Sequence, residues 1–454
     1  MSDISLSKAV NQHYLDKLLQ LAERMPVLAT EDIFDARGTR LLAAGACLTH
    51  EHAAALTRHK LRKALESSLA VQGGVDSSEI VGAAMRILNG SVPMGRILGT
   101  TSGNGVSALK LLSSMEFGAA MRMMLTLTDQ QGPEALEHSV TVSLLSICMA
   151  KKLHLTEEDQ LSAGLAGLLH DIGELYVDPL YLVPCKRLLP HEWAHLVAHP
   201  RLGQMLINEL ESYPLAVGRA VAEHHERFDG TGYPRQVVGN HISAPGQAVA
   251  VAEMIAGVLH KDHPLERAEL ALKIVPGEHA RDLLSAISGT LRCHARPDAI
   301  QAPEEEGGEG AERLFWRISS TIEAGQNLLD GSAAKSRRTR ELLERTLGRI
   351  RTVQRAFIST GLDAYLNHNY PMHEGVLKFE KEVATREIQW RLRDIARDLA
   401  LHTAASPNEK SVFSCLIHLL DDDSDRDFKR DCGKPAALAI PAPASAAGSR
   451  PYAV

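Results

Sequence analysis

Aromatic side chains are scarce in this chain, 4% of 454 residues with only three tryptophans. Any core must therefore be packed mainly by Leu, Ala, Ile and Val, a composition that leans towards helix. The six cysteines (Cys47, Cys148, Cys185, Cys293, Cys415 and Cys432) are scattered without a CxxC pair. That argues against a disulfide scaffold and against a thiolate zinc site. No apolar run reaches about 18 residues, so no helix is expected to span a membrane. The first twenty residues carry acids and lack an apolar segment, so no secretory signal is expected there. Positive charge is also in deficit. Lys and Arg number 49 against 56 Asp and Glu, for a net charge of −7. This gives no support for a nucleic-acid binder. The expectation is a reduced, cytoplasmic, mostly α-helical protein that binds neither nucleic acid nor membrane.

What is present is a chain able to fold. Hydrophobic residues make up 44% and charged residues 23%, and at roughly 150 residues per domain the length suggests about three domains. Residues 5–24 have the pattern of an amphipathic helix, with Leu15, Leu18, Leu19 and Leu21 on one side. Two short apolar stretches then flank Asp35-Ala36-Arg37-Gly38, which reads as a β-hairpin. A helix through Ala53, Leu56, Leu61 and Leu65 follows. Residues 1–72 thus read as an N-terminal helix plus a small αβ module, too small to bury much alone and expected to dock on what comes next. Residues 73–300 are almost wholly helical in pattern. Residues 301–311 are acidic and Gly-rich, reading as a linker, and 312–430 are helical again. The Ala/Pro-rich tail 431–454 is expected to be disordered. In the second helical region a basic run (Lys335, Arg337, Arg338, Arg340, Arg345, Arg349, Arg351, Arg355) faces only Glu341 and Glu344. Such a run suits an acidic partner, but an ordinary solvated helix face is the simpler reading.

Histidine is abundant, with 21 copies against eight Phe and three Trp. An apolar helix runs directly into His170-Asp171 and then Gly173. Burying that pair is costly unless something offsets the desolvation, and a divalent metal such as Mn, Fe, Ni or Zn would. Upstream, Glu134 and His138 share a helix face at i,i+4 spacing. Downstream come His199-Pro200 (preceded by His191 and His195, which read as surface residues), then the segment from Glu223 through His224, His225, Glu226, Arg227 and Asp229 to Gly232, Tyr233 and Pro234. Adjacent helical side chains diverge by about 100°, so His224 and His225 are expected to reach different metals, or one metal and one substrate atom. Glu253 lies within an apolar helix, where a lone acid is either misplaced or ligated.

Taken in order, His138-Ser139, His170-Asp171, His199-Pro200 and the segment 224–234 resemble the HD-GYP family of the HD phosphohydrolase superfamily, over about residues 120–265. The resemblance implies an all-helical domain holding two or three divalent transition-metal ions. It implies hydrolysis of the bacterial second messenger cyclic di-GMP, to pGpG or GMP, by a metal-activated water. It places metal ligands at Glu134, His138, His170, Asp171, His199, His224, His225 and Glu253, with Asp171 as the bridging carboxylate. It makes His170 and Asp171 the catalytic pair, and Arg227, Gly232, Tyr233 and Pro234 the substrate-binding residues.

Departures from the family pattern accompany it. Glu174 stands where the family usually has a phosphate-contacting Lys, and Glu253 where it usually has Asp. Ala256 replaces a second acid, and no Arg follows, although Lys261, Arg227, Arg235 and Arg267 are candidates to compensate. Three readings stay open: an active cyclic dinucleotide phosphodiesterase, a catalytically weak domain acting as a cyclic di-GMP-responsive signalling or interaction module, and a hydrolase of another phosphoester. The N-terminal module and the C-terminal helices are read as regulatory, contacting a protein partner or a second copy in a homodimer.

Overall fold

A computed structural model describes residues 9–102, 106–132, 134–183, 186, 188–294, 307–331, 336–360 and 374–421. The tail 431–454, the acidic stretch 301–306 and Lys335 lie outside the described residues. The described residues are mostly α-helical, with two small two-stranded sheets near the start of the chain.

Helix α1 (Gln12–Ala22) is capped by Asn11, whose side chain accepts from the Tyr14 amide, and it buries Tyr14, Leu15, Leu18, Leu19 and Leu21. The expected hairpin forms between β2 (Ile33–Phe34) and β3 (Arg40–Leu42), which follow β1 (Val27–Ala29). Asp35 closes its turn by accepting from the amides of Arg37 (2.9 Å) and Thr39 (2.8 Å), and Gly38 supplies the positive φ of 92°. The next helix is shorter than its apolar spacing suggests. Helix α2 (His50–Arg58) stops before Leu61, which instead bridges to Asp35. Strand β4 (Leu69–Val71), too short to signal itself in sequence, pairs antiparallel with β1.

The central bundle comprises α3 (Ser77–Gly90), α4 (Val92–Ser102), α5 (Val106–Ser113), α6 (Ala119–Asp129), α7 (Ala135–Lys152), α8 (Glu157–Leu169), α9 (Pro190–Leu196), α10 (His199–Leu210), α11 (Leu215–Glu223), α12 (Ala244–Ala256), α13 (Pro264–Ile274) and α14 (Arg281–His294). Helices α7, α8 and α12 pack on one another at its centre. One continuous core runs from Tyr14 and Leu15 of α1 to Leu291 of α14, so the small N-terminal module is docked on the bundle.

The last four helices are α15 (Gly307–Asp330), α16 (Arg337–Ser359), α17 (Glu374–Thr403) and α18 (Pro407–Leu420). Helix α15 begins at Gly307, inside the segment read as linker, because its Leu314 and Ile318 are drawn into a buried cluster with Ile350, Phe357 and Ile388. Ile274 and Val275 of the central bundle join that cluster. The second bundle is further pinned by a buried ion pair between Arg391 of α17 and Glu278. Among the described residues no helix is long and apolar enough to cross a membrane.

Candidate metal centre

Helix ends deliver the candidate ligands to one place. His138 lies in the first turn of α7. Helix α8 stops at Leu169 with His170 as its C-cap, and Asp171 opens the short 3₁₀ turn Ile172–Tyr176. His199 begins α10, with Pro200 supplying a preset φ in the first helical turn. His224 caps α11, and Glu253 sits near the end of α12. The turn after Asp171 presses so closely on α10 that a Cβ on Gly173 would collide with the His199 carbonyl. That approach sets His199 beside Asp171.

Asp171 is shared between two sets of imidazoles. Its Oδ1 is 3.3 Å from His199 Nε2 and 3.5 Å from His224 Nε2, while Oδ2 is 3.0 Å from His170 Nε2. Glu253 Oε2 lies 3.2 Å from His170 Nε2 and 3.0 Å from His138 Nε2. Two ligand groups result, one of Asp171, His199, His224 and His225 and one of His138, His170 and Asp171. Within each, a donor atom per residue lies within 4.8 Å of the others.

The buried histidines are aimed by their backbone. The Nδ1 atoms of His170, His199 and His224 face the carbonyls of Gly167 (2.9 Å), Leu196 (2.8 Å) and Val221 (2.6 Å). A carbonyl only accepts, so each Nδ1 carries a hydrogen and each Nε2 turns to the cluster. There His199 Nε2 and His224 Nε2 stand 3.2 Å apart. Two such lone pairs so close, beside a carboxylate oxygen, call for a proton or a cation between them. His170 Nε2 and Glu253 Oε2 are also buried, and their close neighbours in the cluster do not meet hydrogen-bond geometry. Imidazole nitrogen and carboxylate oxygen in this arrangement fit a divalent transition metal.

The electrostatics agree with a site short of positive charge. Burial alone would raise Asp171 and Glu253, but His170 and its neighbours hold both carboxyls well below the usual range. Burial would lower His170, yet Asp171 and Glu253 hold it well above its ordinary value. His225 goes the other way, pushed well down by burial and by His224 and His199. Glu174, the sequence departure, is raised to about 7 by burial and then by Asp171, so its carboxyl does lie within the field of the cluster.

Other predicted residues are placed differently. Glu134 is exposed at the cap position before α7 and lies outside both ligand groups. His191 and His195 also stand outside them. The expectation that His224 and His225 diverge is corrected. Helix α11 ends at Glu223, both residues lie in a turn, and their rings are 4.0 Å apart in the same ligand group. Arg227, Gly232 and Tyr233 line a cavity of about 680 Å³ that His224, His225 and Glu253 also border, whereas Pro234 is not in its wall. Tyr233 packs on His225 with ring centroids 4.5 Å apart. Of the candidates to replace the missing Arg, Arg235 is bound to Glu223 and Arg267 to Glu382, while Arg227 and Lys261 face the cavity.

Residues outside the motif hold this loop. Buried Glu223 accepts from Arg219 (2.9 Å), Arg235 (3.1 Å) and both the amide (2.8 Å) and hydroxyl (2.6 Å) of Ser243. Glu226 accepts from the amides of Arg235 (2.8 Å) and Val237 (2.9 Å). The two acids flanking the histidine pair are therefore buttresses. The only advance signal was their position on either side of His224 and His225.

The HD domain family model matches residues 121–275, the stretch that contains every residue of both ligand groups. Residues 121–275 belong to the HD domain family. This HD domain is 36% identical over 131 residues to a cyclic di-GMP phosphodiesterase of Pseudomonas aeruginosa, covering 29% of this chain and 31% of that one. It is 31% identical over 128 residues to 3'3'-cGAMP-specific phosphodiesterase 3 of Vibrio cholerae, covering 28% of each. The chain thus spans about three-tenths of the length of these curated relatives. A solved HDG"Y"P protein from Bdellovibrio bacteriovorus aligns over 61% of this chain and 97% of its own at 19% identity, with a TM-score of 0.32, a likeness too loose to carry an argument.

Proposed function

We propose that this chain is a metal-dependent phosphodiesterase that hydrolyses cyclic di-GMP to pGpG or GMP by a metal-activated water. The observation that carries the reading is Asp171, which offers one oxygen to His199 and His224 and the other to His170. A carboxylate so placed suits a two-ion site, with Asp171, His199, His224 and His225 holding one ion and His138, His170 and Asp171 the other. Glu253 is in reach of the second. When bound, divalent ions supply an acidified water and withdraw charge from the phosphodiester. The residues themselves orient and position. Backbone carbonyls fix the three imidazoles, Tyr233 shields His225, and Arg227 presents positive charge at the cavity wall.

Relatives named for cyclic di-GMP and for 3'3'-cGAMP both support the cyclic dinucleotide class. Glu174 favours a second reading, a catalytically weak domain that responds to the nucleotide, because an acid in the field of Asp171 opposes an approaching phosphodiester. The two are separated by incubating Mn- or Fe-loaded protein with each dinucleotide and measuring pGpG and GMP. The enzyme reading predicts turnover that falls by about 10³ or more in Asp171→Ala, the size of loss seen when a central catalytic group is removed. Metal-loaded protein no faster than that variant would exclude the enzyme.

A further inference from the structure

The cavity beside the metal centre is closed on its far side by the second helical bundle, through α16 and α17. These helices are fastened to one another and, through Thr231 and Gln236, to the HD domain. Arg349 binds Asp394 (3.1 Å) and Asp398 (2.6 Å) and donates to the Thr231 carbonyl (3.4 Å). Gln236 donates to Asp398 (3.1 Å), and Arg391 binds Glu278 and Glu387. Apart from Glu253, which faces the histidine cluster, the acids of the wall have partners among the described residues. Glu278 and Glu387 are taken by Arg391, Asp394 by Arg349, and Asp229 by the Thr231 hydroxyl (2.7 Å).

Three cations of the same wall are not so matched. The side chains of Arg227 and Lys261 make no hydrogen bond or ion pair among the described residues. Among the described residues the Arg355 side chain bonds only within its own helix, to the Arg351 carbonyl (3.4 Å) and the Thr352 hydroxyl (3.1 Å). Next to them Trp390 keeps 39% of its surface exposed, an uncommon state for so large an apolar ring.

Guanidinium and ammonium groups without a direct carboxylate contact, beside an indole that has Arg391 over its ring at 5.8 Å but stays partly exposed, suit a ligand with both phosphate charge and flat bases. A cyclic dinucleotide has two phosphodiesters and two purines. With one phosphodiester at the metal centre, the other and a base remain to be held. We infer that the second helical bundle completes the substrate site, with Arg355 binding the second phosphodiester and Trp390 stacking on a purine. This rests on the cyclic dinucleotide reading above but concerns binding alone, so it is judged without turnover.

The test is calorimetric titration of the full chain, stripped of metal by chelator, with cyclic di-GMP and with 3'3'-cGAMP. Loss of a base stack or of a charge-assisted phosphate contact corresponds to roughly tenfold weaker binding. Arg355→Gln and Trp390→Ala should each show that loss. Trp390→Phe and Arg355→Lys should recover most of it. Arg351→Ala, one turn away and outside the cavity wall, should bind as the unaltered chain does. Thermal melts matching the unaltered chain would establish that the variants are folded. The inference is overturned if folded Arg355→Gln and Trp390→Ala both bind with unaltered affinity, or if the unaltered chain binds neither dinucleotide. Absence of turnover in metal-loaded protein would remove the enzyme reading and leave this result standing.

Discussion

Asp171 shows how much and how little a single residue reveals in sequence. Its adjacency to His170 and the apolar helix before it marked a buried pair that needs compensation. Which imidazoles compensate it came from the family resemblance and not from spacing, because His199 and His224 come from other helices and meet it only through packing. His225 was misjudged for a local reason. The 100° rule holds inside a helix, and here the helix has already ended. Another buried histidine, outside both ligand groups, gives a pH prediction. His279 is fully buried with an unpartnered Nε2, and burial followed by the nearby Arg227 depresses it from 6.5 to about 3. Between those values the unfolded chain binds a proton that the folded chain refuses, so stability rises with pH and is lost as pH falls below about 6.5. At pH 5 the loss is about 2 kcal/mol, from the 1.36 kcal/mol carried by each pKa unit. Urea titrations at pH 7 and pH 5 should show the acid loss reduced by that amount in His279→Asn. An identical loss in both proteins would place His279 in water.

At the scale of elements, helices with long apolar stripes were legible and short pieces were not. The β2–β3 hairpin announced itself through Asp35 and Gly38, whereas β4 has three residues and exists only because β1 is there to pair with it. Helix α15 crosses glycines that sequence reading assigned to a linker. Its packing against α16 and α17 outweighs a propensity cost of about 1 kcal/mol per glycine. The element most exposed to mutation is the 3₁₀ turn after Asp171. The amide of Asn11 and the ammonium of Lys17 in the N-terminal segment hold the carbonyls of Tyr176 (3.2 Å) and Leu175 (2.9 Å), and Gly173 lets α10 approach from the other side. Gly173→Ala should force the turn and α10 apart, at a cost of about 1–3 kcal/mol typical of overpacking, and should weaken metal binding with it. Thermal melts with and without Mn would show both a lower midpoint and a smaller metal-induced rise. A rise equal to that of the unaltered chain would mean that the close approach does not set the metal site.

For the whole molecule, the three parts are one packed body. The N-terminal module shares the core of the HD domain, and the C-terminal helices wall its cavity. The basic run of α16 looked like an ordinary solvated face, and Arg337 indeed pairs with Glu341 on the surface. Arg349 on the same helix is 11% exposed and bound to acids 45 and 49 residues further on, a pairing no local pattern contains. The architecture thus brings distant charge to a cluster that the HD domain builds by itself. That cluster is the centre of the account, and metal stoichiometry tests it most directly. Protein reconstituted with Mn, passed through a desalting column and analysed for metal should retain about two ions per chain, as a two-metal site requires. Asp171→Ala should retain almost none and His138→Ala about one fewer than the unaltered chain. Retention of no metal by the unaltered chain, or equal retention by Asp171→Ala, would contradict it.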